Sequence, residues 1–317
     1  MLFISIGLFL SGIVMFCGAL GKISSTNKLK SYLRISNNRF AGFGVGAGIT
    51  AAIQSSTATT VAVVGFVNAG VLSLFQATSI IIGANVGATI TGLIISFSSF
   101  SIKYIFMSLV FVGALLKLLA KKERIKIIAD FLIGFSVMFV GLELMGNAID
   151  SNLWLQNFFT ILFRNISFPF LLLLFGILLT CIIQSSMATL ALLMCLMSCG
   201  VIGFEQAMYI IMGANVGMCL AVYLASIKLN TNAKRTAVIH FLFNAIGALF
   251  FTFVFWAFSN ILIPPFERFG AAWRLSIFNV IFNIATALLL IGFIKPLINL
   301  SCKIIKVNNA KTVKQKK

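Results

Sequence analysis

The segment IQSST at 53–57 interrupts an apolar stretch that runs from about 41 to 68, and IQSSM at 183–187 interrupts a second one at about 166–199. Lipid offers no hydrogen-bond partners, so irregular backbone at membrane depth needs protein or a water-filled cavity around it. The first stretch also begins with four glycines at alternate positions, from 42 to 48. We therefore predict that each stretch is a re-entrant helical hairpin with its Gln-Ser-Ser triplet at the tip.

The two interrupted stretches are copies of each other at one offset, the 130 residues from Gln54 to Gln184. The pentapeptide Gly-Ala-Asn-Val-Gly at 83–87 returns intact at the same offset. Chance similarity between apolar helices matches Leu, Ile and Val, but not Gln, Ser, Asn and Gly in register. The chain is therefore a duplication, with repeat 1 at about 40–148 and repeat 2 at about 166–300. Further matched pairs are Thr50/Thr180, Ala58/Ala188, Thr59/Thr189, Gly70/Gly200, Val71/Val201, Gln76/Gln206 and Ala77/Ala207.

The composition is that of a protein surrounded by lipid. Of the 317 residues, 60% are hydrophobic and only 9% are charged, and the mean hydropathy is +1.10. An ordinary soluble domain has about a quarter of its residues charged. A hydrocarbon core about 30 Å thick needs roughly 20 apolar residues per helix. We predict an all-α polytopic membrane protein, one transmembrane domain over 1–317, with about seven full spans plus the two hairpins. The predicted spans are 2–20, 71–97, 103–120, 127–148, 203–228, 237–263 and 275–300.

The basic residues set the predicted orientation. The formal net charge is +18, and lysine and arginine cluster at 22–39, 117–126, 228–235 and in a tail at 301–317. Basic loops between apolar spans are typical of the cytoplasmic side, where they meet anionic lipid, whereas nucleic-acid binding needs a basic face on a soluble domain. We predict no nucleic-acid partner, an N-terminus outside, a cytoplasmic C-terminus and a place in the cell membrane, in a bacterium the inner membrane.

Three predicted spans separate the two hairpins, and an odd number of crossings turns the second copy over. The first hairpin then enters from the cytoplasm and the second from the exterior. Inverted repeats whose interrupted helices meet near the bilayer midplane are an architecture of secondary transporters. We therefore expect a transport domain that works by alternating access. Segment 2–20 has neither a basic n-region nor a cleavage site, so we expect it to be kept as the first span.

Each tip offers one amide, two hydroxyls and the backbone N–H groups of a helix start. A helix N-terminus carries partial positive charge and unpaired donors, which suits an anion. The same hydroxyl and carbonyl oxygens can hold a small hard cation such as sodium. The alternative is that these small polar residues only pack helices together. Repetition at a fixed offset favours a binding site, with candidate residues Gln54, Ser55, Ser56, Gln184, Ser185 and Ser186.

The two pentapeptides place Asn85 and Asn215 within apolar helices. Their flanking glycines permit close approach of the backbone, and each amide could either coordinate an ion or pin a hairpin tip. Thr89 lies one turn beyond Asn85 on the same face and could add a hydroxyl. Its counterpart is Cys219, so the second site is poorer in oxygen.

Few other residues could carry chemistry. His240 is the only histidine; it could relay protons near neutral pH or be a satisfied residue at a helix contact. The six cysteines form no CxxC pair, and we expect them to be buried apolar residues, although Cys195 and Cys199 share a helix face that a metal site could use. The sequence shows no buried acid pair, metal-ligand cluster or Ser-His-Asp arrangement, so we do not expect an enzyme.

The paired Gln-Ser-Ser tips, each followed by Gly-Ala-Asn-x-Gly, resemble those of the sodium–phosphate cotransporter family, type II and its bacterial relatives. The resemblance runs from about Gly44 to Asn283, and AKRTA at 233–237, which leads to His240, is also similar. It implies transport of inorganic phosphate coupled to sodium, with both tips at the binding sites and no cofactor besides the coupling ion. By the same resemblance, Asn85 and Asn215 would support the site or coordinate an ion. The predicted sodium ligands are Thr57, Asn85, Thr89, Thr189 and Asn215.

Several positions depart from the pattern of that family. Its tips usually read Gln-Ser-Ser-Ser, but the fourth position is Thr57 in the first copy and Met187 in the second. The hydroxyls that follow Gly-Ala-Asn-x-Gly are lost at Cys219 and its neighbour. A His-x-x-x-Asn motif recurs with Asn279 in place of the histidine. These losses leave the sodium stoichiometry, and sodium dependence itself, open.

Three functional hypotheses follow. The first is a sodium-coupled phosphate carrier; the second is an exporter, or a carrier of another anion with altered coupling. The third is a membrane-embedded sensor or scaffold that binds phosphate without moving it. Many bacterial relatives carry a cytoplasmic helical domain of the PhoU type after the last span, whereas here only a short basic tail follows, so we expect any such regulator to be a separate protein. The sequence does not determine the oligomeric state.

Overall fold

The computed structural model describes residues 1–23, 38–97, 103–164, 166 and 168–306. Throughout these residues the chain forms helices joined by short turns, without a β-strand, which confirms the all-α prediction. Most of the predicted basic cluster at 22–39, and the end of the tail, lie outside them. Six helices are long and apolar enough to cross a membrane, so this is a multi-pass membrane protein. They are Leu2–Lys22, Leu74–Ser96, Glu123–Asp150, Phe204–Ser226, Thr231–Ala257 and Ala271–Ile304.

The first half of the chain contains a peripheral helix pair and the first hairpin. Its helices are α1 (Leu2–Ile23), α2 (Arg39–Ile53), α3 (Ser56–Asn68), α4 (Leu74–Ser96), α5 (Lys103–Leu119) and α6 (Glu123–Asp150). Helices α1 and α5 pack along α6, whereas α2 and α3, the arms of the hairpin, pack against α4. The predicted stretch 41–68 is therefore two helices with a break at its polar triplet, as expected.

The second half repeats this order after a short helix. Its helices are α7 (Leu153–Arg164), α8 (Pro169–Ile183), α9 (Ser186–Ser198), α10 (Phe204–Gly217), α11 (Cys219–Ser226), α12 (Thr231–Ala257), α13 (Ser259–Leu262), α14 (Ala271–Leu290) and α15 (Ile294–Ile304), with 3₁₀ turns at Pro264–Phe266 and Ile291–Phe293. The arms of the second hairpin are α8 and α9. Helices α4, α5, α6 and the short α7 lie between the two hairpins, and of these α4 and α6 are long and apolar enough to count as spans, so the inversion of the second repeat stays a prediction.

Three boundaries differ from the predicted spans. The span at 103–120 is a helix of 17 residues, shorter than the six that qualify by length. The span at 203–228 is divided at Met218 into α10 and α11. The span at 275–300 lies within the candidate span Ala271–Ile304, in which the α-helix α14 ends at Leu290 and gives way to a 3₁₀ turn. Pro296 explains that end, because proline cannot donate to a carbonyl four residues earlier and is tolerated only in the first turn of α15.

The connection at 149–165 contains helix α7. With 12 residues it is too short to span a bilayer. Leu153, Trp154 and Ile161 are exposed, whereas Phe163 is buried against the body of the protein. An amphipathic helix of this length is typical of one that lies in the membrane interface.

Glycine contacts hold α4 and α10 against their hairpins in the same way. A Cβ atom added at Gly83 would lie 1.9 Å from the carbonyl oxygen of Phe43, and one added at Gly213 would lie 2.0 Å from that of Leu173. Gly46 and Gly176, in the first arms, approach the facing helices as closely. Only glycine permits such backbone contact, which is how small residues pack membrane helices.

The two repeats are also packed against each other. Helix α14 contacts α4 of the first repeat as well as α9 and α10 of its own, and α12 contacts α3. At one end the Asn230 backbone N–H donates to Asn68 Oδ1 at 2.9 Å, and Asn230 Nδ2 donates to the Asn68 carbonyl at 2.9 Å. Each hairpin is thus bordered by helices of both repeats.

Candidate functional site

The backbone at both tips has the same unusual conformation. Gln54 ends α2 with φ 60° and ψ 24°, and Gln184 ends α8 with φ 61° and ψ 16°. In the described part of the chain these are the only non-glycine residues with positive φ. This conformation costs on the order of 1–3 kcal/mol and is typically kept where it serves a function. The two glutamines therefore mark the tips as candidate binding sites, as the sequence predicted.

A serine caps the helix that leaves each tip. Ser55 Oγ accepts a hydrogen bond from the Ala58 backbone N–H at 3.2 Å, and Ser185 Oγ accepts one from Ala188 at the same distance. A helix leaves its first N–H groups without intrahelical partners. The cap takes one of them, so the N–H groups of the first two helical residues remain for a ligand, together with the hydroxyl of Ser56 in the first tip; that of Ser186 donates to Met218 Sδ. This is the donor set that the anion prediction requires.

Pairs of threonine hydroxyls join the two arms of each hairpin. Thr50 Oγ1 donates to Thr59 Oγ1 at 3.0 Å, and Thr180 and Thr189 pair at 2.8 Å. The hydroxyls of Thr59 and Thr189 also donate to the carbonyls of the capping serines. These threonines are matched pairs in the sequence, but their positioning role is evident only in the structure. The hydroxyl of Thr189, a predicted sodium ligand, is already used in this pairing.

The glutamine side chains, unlike the backbone, differ between the tips. Gln54 is 7% exposed, its Oε1 accepts a hydrogen bond from Thr91 Oγ1 at 2.7 Å, and its Nε2 donates to the Ala51 carbonyl. Gln184 is exposed, and its Nε2 donates to the Cys181 carbonyl at 2.6 Å. Thr91 was missed by sequence analysis, because its counterpart at the 130-residue offset is alanine and no repeat marks it.

The asparagines of the two pentapeptides are buried, each 3% exposed. Asn85 Nδ2 donates to the Ile81 carbonyl at 2.9 Å, and Asn215 Nδ2 donates to that of Ile211 at 2.8 Å. Neither amide forms a hydrogen bond to a hairpin tip. The helices that carry these asparagines are held against the hairpins by the glycines of the pentapeptides, Gly83 and Gly213, instead. Asn85 Oδ1 has no hydrogen-bond partner among the described residues, and an open buried oxygen suits a cation.

The other predicted sodium ligands lie close to these residues. Thr89 is 3% exposed, one turn from Asn85 on α4, and its hydroxyl donates to the Val86 carbonyl at 2.7 Å. Thr57 is half-buried in the first turn of α3. Asn215 Nδ2 makes a second, longer bond of 3.3 Å to Asn279 Oδ1. The first repeat therefore offers more uncommitted oxygen than the second.

Contacts through α4 and α14 link the two tips. No hydrogen bond joins one tip to the other directly within the described ranges. Gly92, beside Thr91, lies close to Leu190 of α9 and to the Asn279 amide of α14. Asn279 Oδ1 accepts from Asn283 Nδ2 at 3.1 Å as well as from Asn215, while its own Nδ2 has no partner in the described structure. Asn279 thus stands between the repeats.

Sulfur-containing side chains surround the second tip. Ser186 Oγ donates to Met218 Sδ at 3.3 Å, and Cys219 Sγ approaches the Asn215 carbonyl at 3.5 Å. Cys195 and Cys199, the pair at helical spacing, donate instead to carbonyls of α6 at 3.5 and 3.6 Å, which supports the prediction that they are helix contacts. No group of three or more His, Cys, Asp or Glu side chains suitable for a metal occurs in the described residues.

Known proteins similar to this chain point to one family. A family model described as Na+/Pi-cotransporter matches residues 8–147 and 151–295. The uncharacterized protein YqeW of Bacillus subtilis strain 168 is 30% identical over 300 residues, which is 94% of each chain.

Further relatives carry a functional name. YjbB of Escherichia coli K12, whose name proposes inorganic phosphate export, is 29% identical over 258 residues, 80% of this chain but 46% of its own. YjbB of Salmonella typhimurium LT2 is 32% identical over 208 residues, 65% of this chain and 38% of its own. This chain thus corresponds to less than half the length of those relatives. No solved structure matches it. Because the family model covers nearly the whole chain, this protein belongs to the Na+/Pi-cotransporter family.

Proposed function

We propose that this protein is a secondary active transporter of inorganic phosphate, coupled to sodium and working by alternating access. The observation that carries the proposal is the pair of tips at Gln54 and Gln184, which share one strained backbone conformation at a fixed offset in a member of a transporter family. The membership supports phosphate as the substrate and a carrier rather than an enzyme. Sodium coupling, direction and the roles of individual residues are part of the proposal.

Phosphate would bind between the tips. Each tip supplies two unpaired backbone N–H groups, a serine hydroxyl and the positive end of a helix, which together stabilise an anion. The substrate residues would be Gln54, Ser55 and Ser56 from the first repeat, and Gln184, Ser185 and Ser186 from the second. The tip side chains carry no formal charge, so the anion brings the charge and the coupling ion offsets it.

Sodium would bind chiefly in the first repeat. Asn85 Oδ1 is buried without a partner, Thr89 is a turn away, and Thr57 adds a hydroxyl at the tip. Hydroxyl and amide oxygens are the ligands that a hard cation prefers. In the second repeat, Thr189 and Asn215 would contribute less, because the Thr189 hydroxyl is already paired.

The different exposure of the two tips supports alternating access. Gln54 is covered by α4, whereas Gln184 is exposed. If the basic clusters are cytoplasmic, the covered tip belongs to the hairpin that enters from the cytoplasm. The fold would then be in a state open at the second tip, and the opposite state would expose Gln54 after its bond to Thr91 is broken. We place the protein in the cell membrane with its N-terminus outside.

Export is the second candidate function. The names of the YjbB relatives propose phosphate export, and the oxygen ligands lost in repeat 2 favour coupling different from that of a two-site importer. Both directions use the same tips, since a carrier moves its substrate down the combined gradients. Only flux measurements with imposed gradients distinguish them.

The test is flux of radiolabelled phosphate in proteoliposomes that contain the purified chain, with and without a sodium gradient of either direction. We expect sodium-dependent flux that Gln54→Ala and Gln184→Ala each abolish. Gln156→Ala is the matched control, because Gln156 is half-buried on α7, where it donates to the Asp150 carbonyl far from both tips along the chain. It should leave flux unchanged.

Each outcome decides one part of the proposal. Flux that is unaffected by sodium would contradict the coupling but keep phosphate as substrate. Flux only from inside to outside would support export. No phosphate flux, with binding of phosphate retained by the wild-type chain, would favour the sensor or scaffold. Loss of both in well-folded protein would overturn phosphate as the substrate.

A further inference from the structure

Sulfur replaces oxygen or a methyl group at several equivalent positions around the second tip. The pairs, first repeat before second, are Thr57/Met187, Ala51/Cys181, Ala88/Met218 and Thr89/Cys219. Of the four second-repeat residues, Cys181 and Met187 lie on the two arms of the hairpin, and Met218 and Cys219 lie where α10 meets α11. All four are buried or half-buried. A hard cation gains nothing from thiol or thioether ligands, which prefer soft metals such as Cu(I). The second half-site has therefore changed the class of ion that it can hold.

The thiol of Cys219 faces the only imidazole of the chain. Cys219 Sγ lies 3.9 Å from His240 Nε2, and both residues are buried, at 1% and 0% exposure. With zinc bond lengths as a guide, about 2.3 Å to sulfur and about 2.0–2.1 Å to nitrogen, one metal ion in line between the two would span about 4.4 Å. The separation of 3.9 Å is about 0.5 Å shorter than that in-line span, so a two-coordinate Cu(I) ion, which holds its two ligands in line, would move the two side chains apart by about that distance.

The imidazole has unused hydrogen-bonding capacity. His240 Nδ1 has no partner among the described residues, and Nε2 has only the thiol at a distance that makes a weak hydrogen bond. A ring this deeply buried normally has both nitrogens satisfied. The thiol itself is well placed to act as a ligand, because Asn244 Nδ2 donates to it at 3.4 Å and would stabilise a thiolate.

Charge balance selects a monovalent ion. The empty site contains a neutral thiol and a neutral imidazole. When a monovalent cation binds, the thiol releases its proton to bulk water and a metal–sulfur bond forms, so the occupied site also has no net charge. A divalent ion would leave one uncompensated positive charge inside the membrane, which is costly.

We propose that Cys219 and His240 form a binding site for a soft monovalent metal ion, Cu(I) or Ag(I). The ion reaches the site past the exposed second tip, where Cys181 Sγ is 3.6 Å from the Gly217 carbonyl and Met218 lies beside Ser186. Once bound, it joins α11 to α12 directly. This binding does not depend on which substrate the protein carries.

The experiment is binding of Ag(I), a redox-inert probe for Cu(I), to the purified full chain in chloride-free buffer with a competing thiol. To remove background, Cys17, Cys195, Cys199 and Cys302 are replaced by Ala. In this chain we expect one tightly bound Ag(I). Cys219→Thr restores the residue of the first repeat and should remove this binding, and His240→Gln should weaken it at least about tenfold. X-ray absorption of the Cu(I) form should show one sulfur and one nitrogen ligand.

The matched control is Cys181→Ala, which removes the more accessible thiol and should leave the tight site in place. Thermal unfolding with and without Ag(I) shows whether each variant is folded, and only the chains that keep Cys219 and His240 should be stabilised. Tight binding that survives Cys219→Thr, equal affinity in His240→Gln, tighter binding of Zn(II), or no Ag(I) retained by the starting chain would each overturn the proposal.

Discussion

Gln54 and Gln184 have nearly the same backbone angles, yet one side chain is 7% exposed and the other is exposed to the surroundings. The difference in exposure depends on the neighbouring helix of each hairpin. Thr91 covers and bonds the first glutamine, whereas its counterpart Ala221 has no hydroxyl to offer the second. Duplication therefore preserved the strained turn of each tip, while the partner surfaces around the two tips diverged.

The largest expected loss of stability tests the glycine contacts that hold α4 and α10 against the hairpins in both repeats. Gly83→Ala and Gly213→Ala would each force a Cβ to within about 2 Å of a carbonyl oxygen, which requires α4 or α10 to move away from its hairpin. We expect each to destabilise the protein by about 3 kcal/mol or more. The measurement is the thermal midpoint in detergent, followed by size-exclusion chromatography.

Gly44→Ala is the control for this pair, because a Cβ there meets nothing within 4 Å. It should leave the thermal midpoint unchanged or slightly raised, since alanine favours helix. A chain that tolerates Gly213→Ala but not Gly83→Ala would show that the two helix contacts are not equivalent.

The next effect separates the two glutamines. Gln54→Ala leaves the buried Thr91 hydroxyl without its acceptor, so we expect a loss of about 1–3 kcal/mol in stability. Gln184→Ala removes an exposed side chain and should change stability by less than about 0.5 kcal/mol. Both should abolish transport, so stability and flux must be measured on the same preparations.

Thr91→Val tests the cause of that difference. It should reproduce most of the cost of Gln54→Ala, and the double variant should cost less than the sum, because both changes break one bond. Strict additivity would contradict a direct stabilising contact between Thr91 and Gln54.

Removal of the capping serine should cause a smaller loss of stability, equal in the two tips. Ser55→Ala and Ser185→Ala each remove a helix cap whose hydrogen bond is 3.2 Å long in both repeats. We expect about 1 kcal/mol of destabilisation for each. Ser108→Ala, at an exposed position within α5, serves as control and should stay within about 0.5 kcal/mol. Unequal costs would mean that one cap also contacts the opposite repeat.

The smallest effect would make the second tip more like the first. The double variant Met187→Thr and Cys219→Thr restores two hydroxyls in repeat 2. We expect the sodium concentration for half-maximal phosphate flux to fall by roughly threefold, less than 1 kcal/mol of binding energy. Cys302→Thr, in α15, is the control and should not change it. An unchanged sodium response would show that repeat 2 takes no part in sodium binding.

Much of this fold was predictable because its signals are local. The polar triplets inside apolar stretches predicted both helix breaks, and the structure places them at Gln54 and Gln184. Two further signals were present and missed. Pro296 marks the end of α14, and the aromatic residues of α7 recur at helical spacing. The division of α10 from α11 at Met218 was not predictable in this way, because Gly217 precedes it but the matched Gly87 lies inside the unbroken α4.

The candidate site was predictable only where both repeats contribute the same residue. Matched pairs identified the glutamines, serines and asparagines of both tips, but Thr91 has no identical counterpart, so nothing in the sequence connects it to the tips. Asn279 was noted only as a departure from a recurring motif, without a link to either tip. For Asn85, one property could be predicted from the sequence and another could not. Its burial follows from an apolar helix, whereas its unpartnered Oδ1 depends on which helices surround it.

The sequence by itself determined the all-α membrane class, the duplication, the two broken hairpins and the residues at their tips, because hydropathy, spacing and internal repetition are properties of the chain. Only the tertiary structure decided that Gln54 is covered and Gln184 exposed, that Asn279 stands between the repeats, and that Cys219 faces His240 at 3.9 Å. The physical reason is that these features depend on contacts between helices far apart in sequence, and in lipid such contacts follow from close packing and hydrogen bonding, which hydropathy does not record.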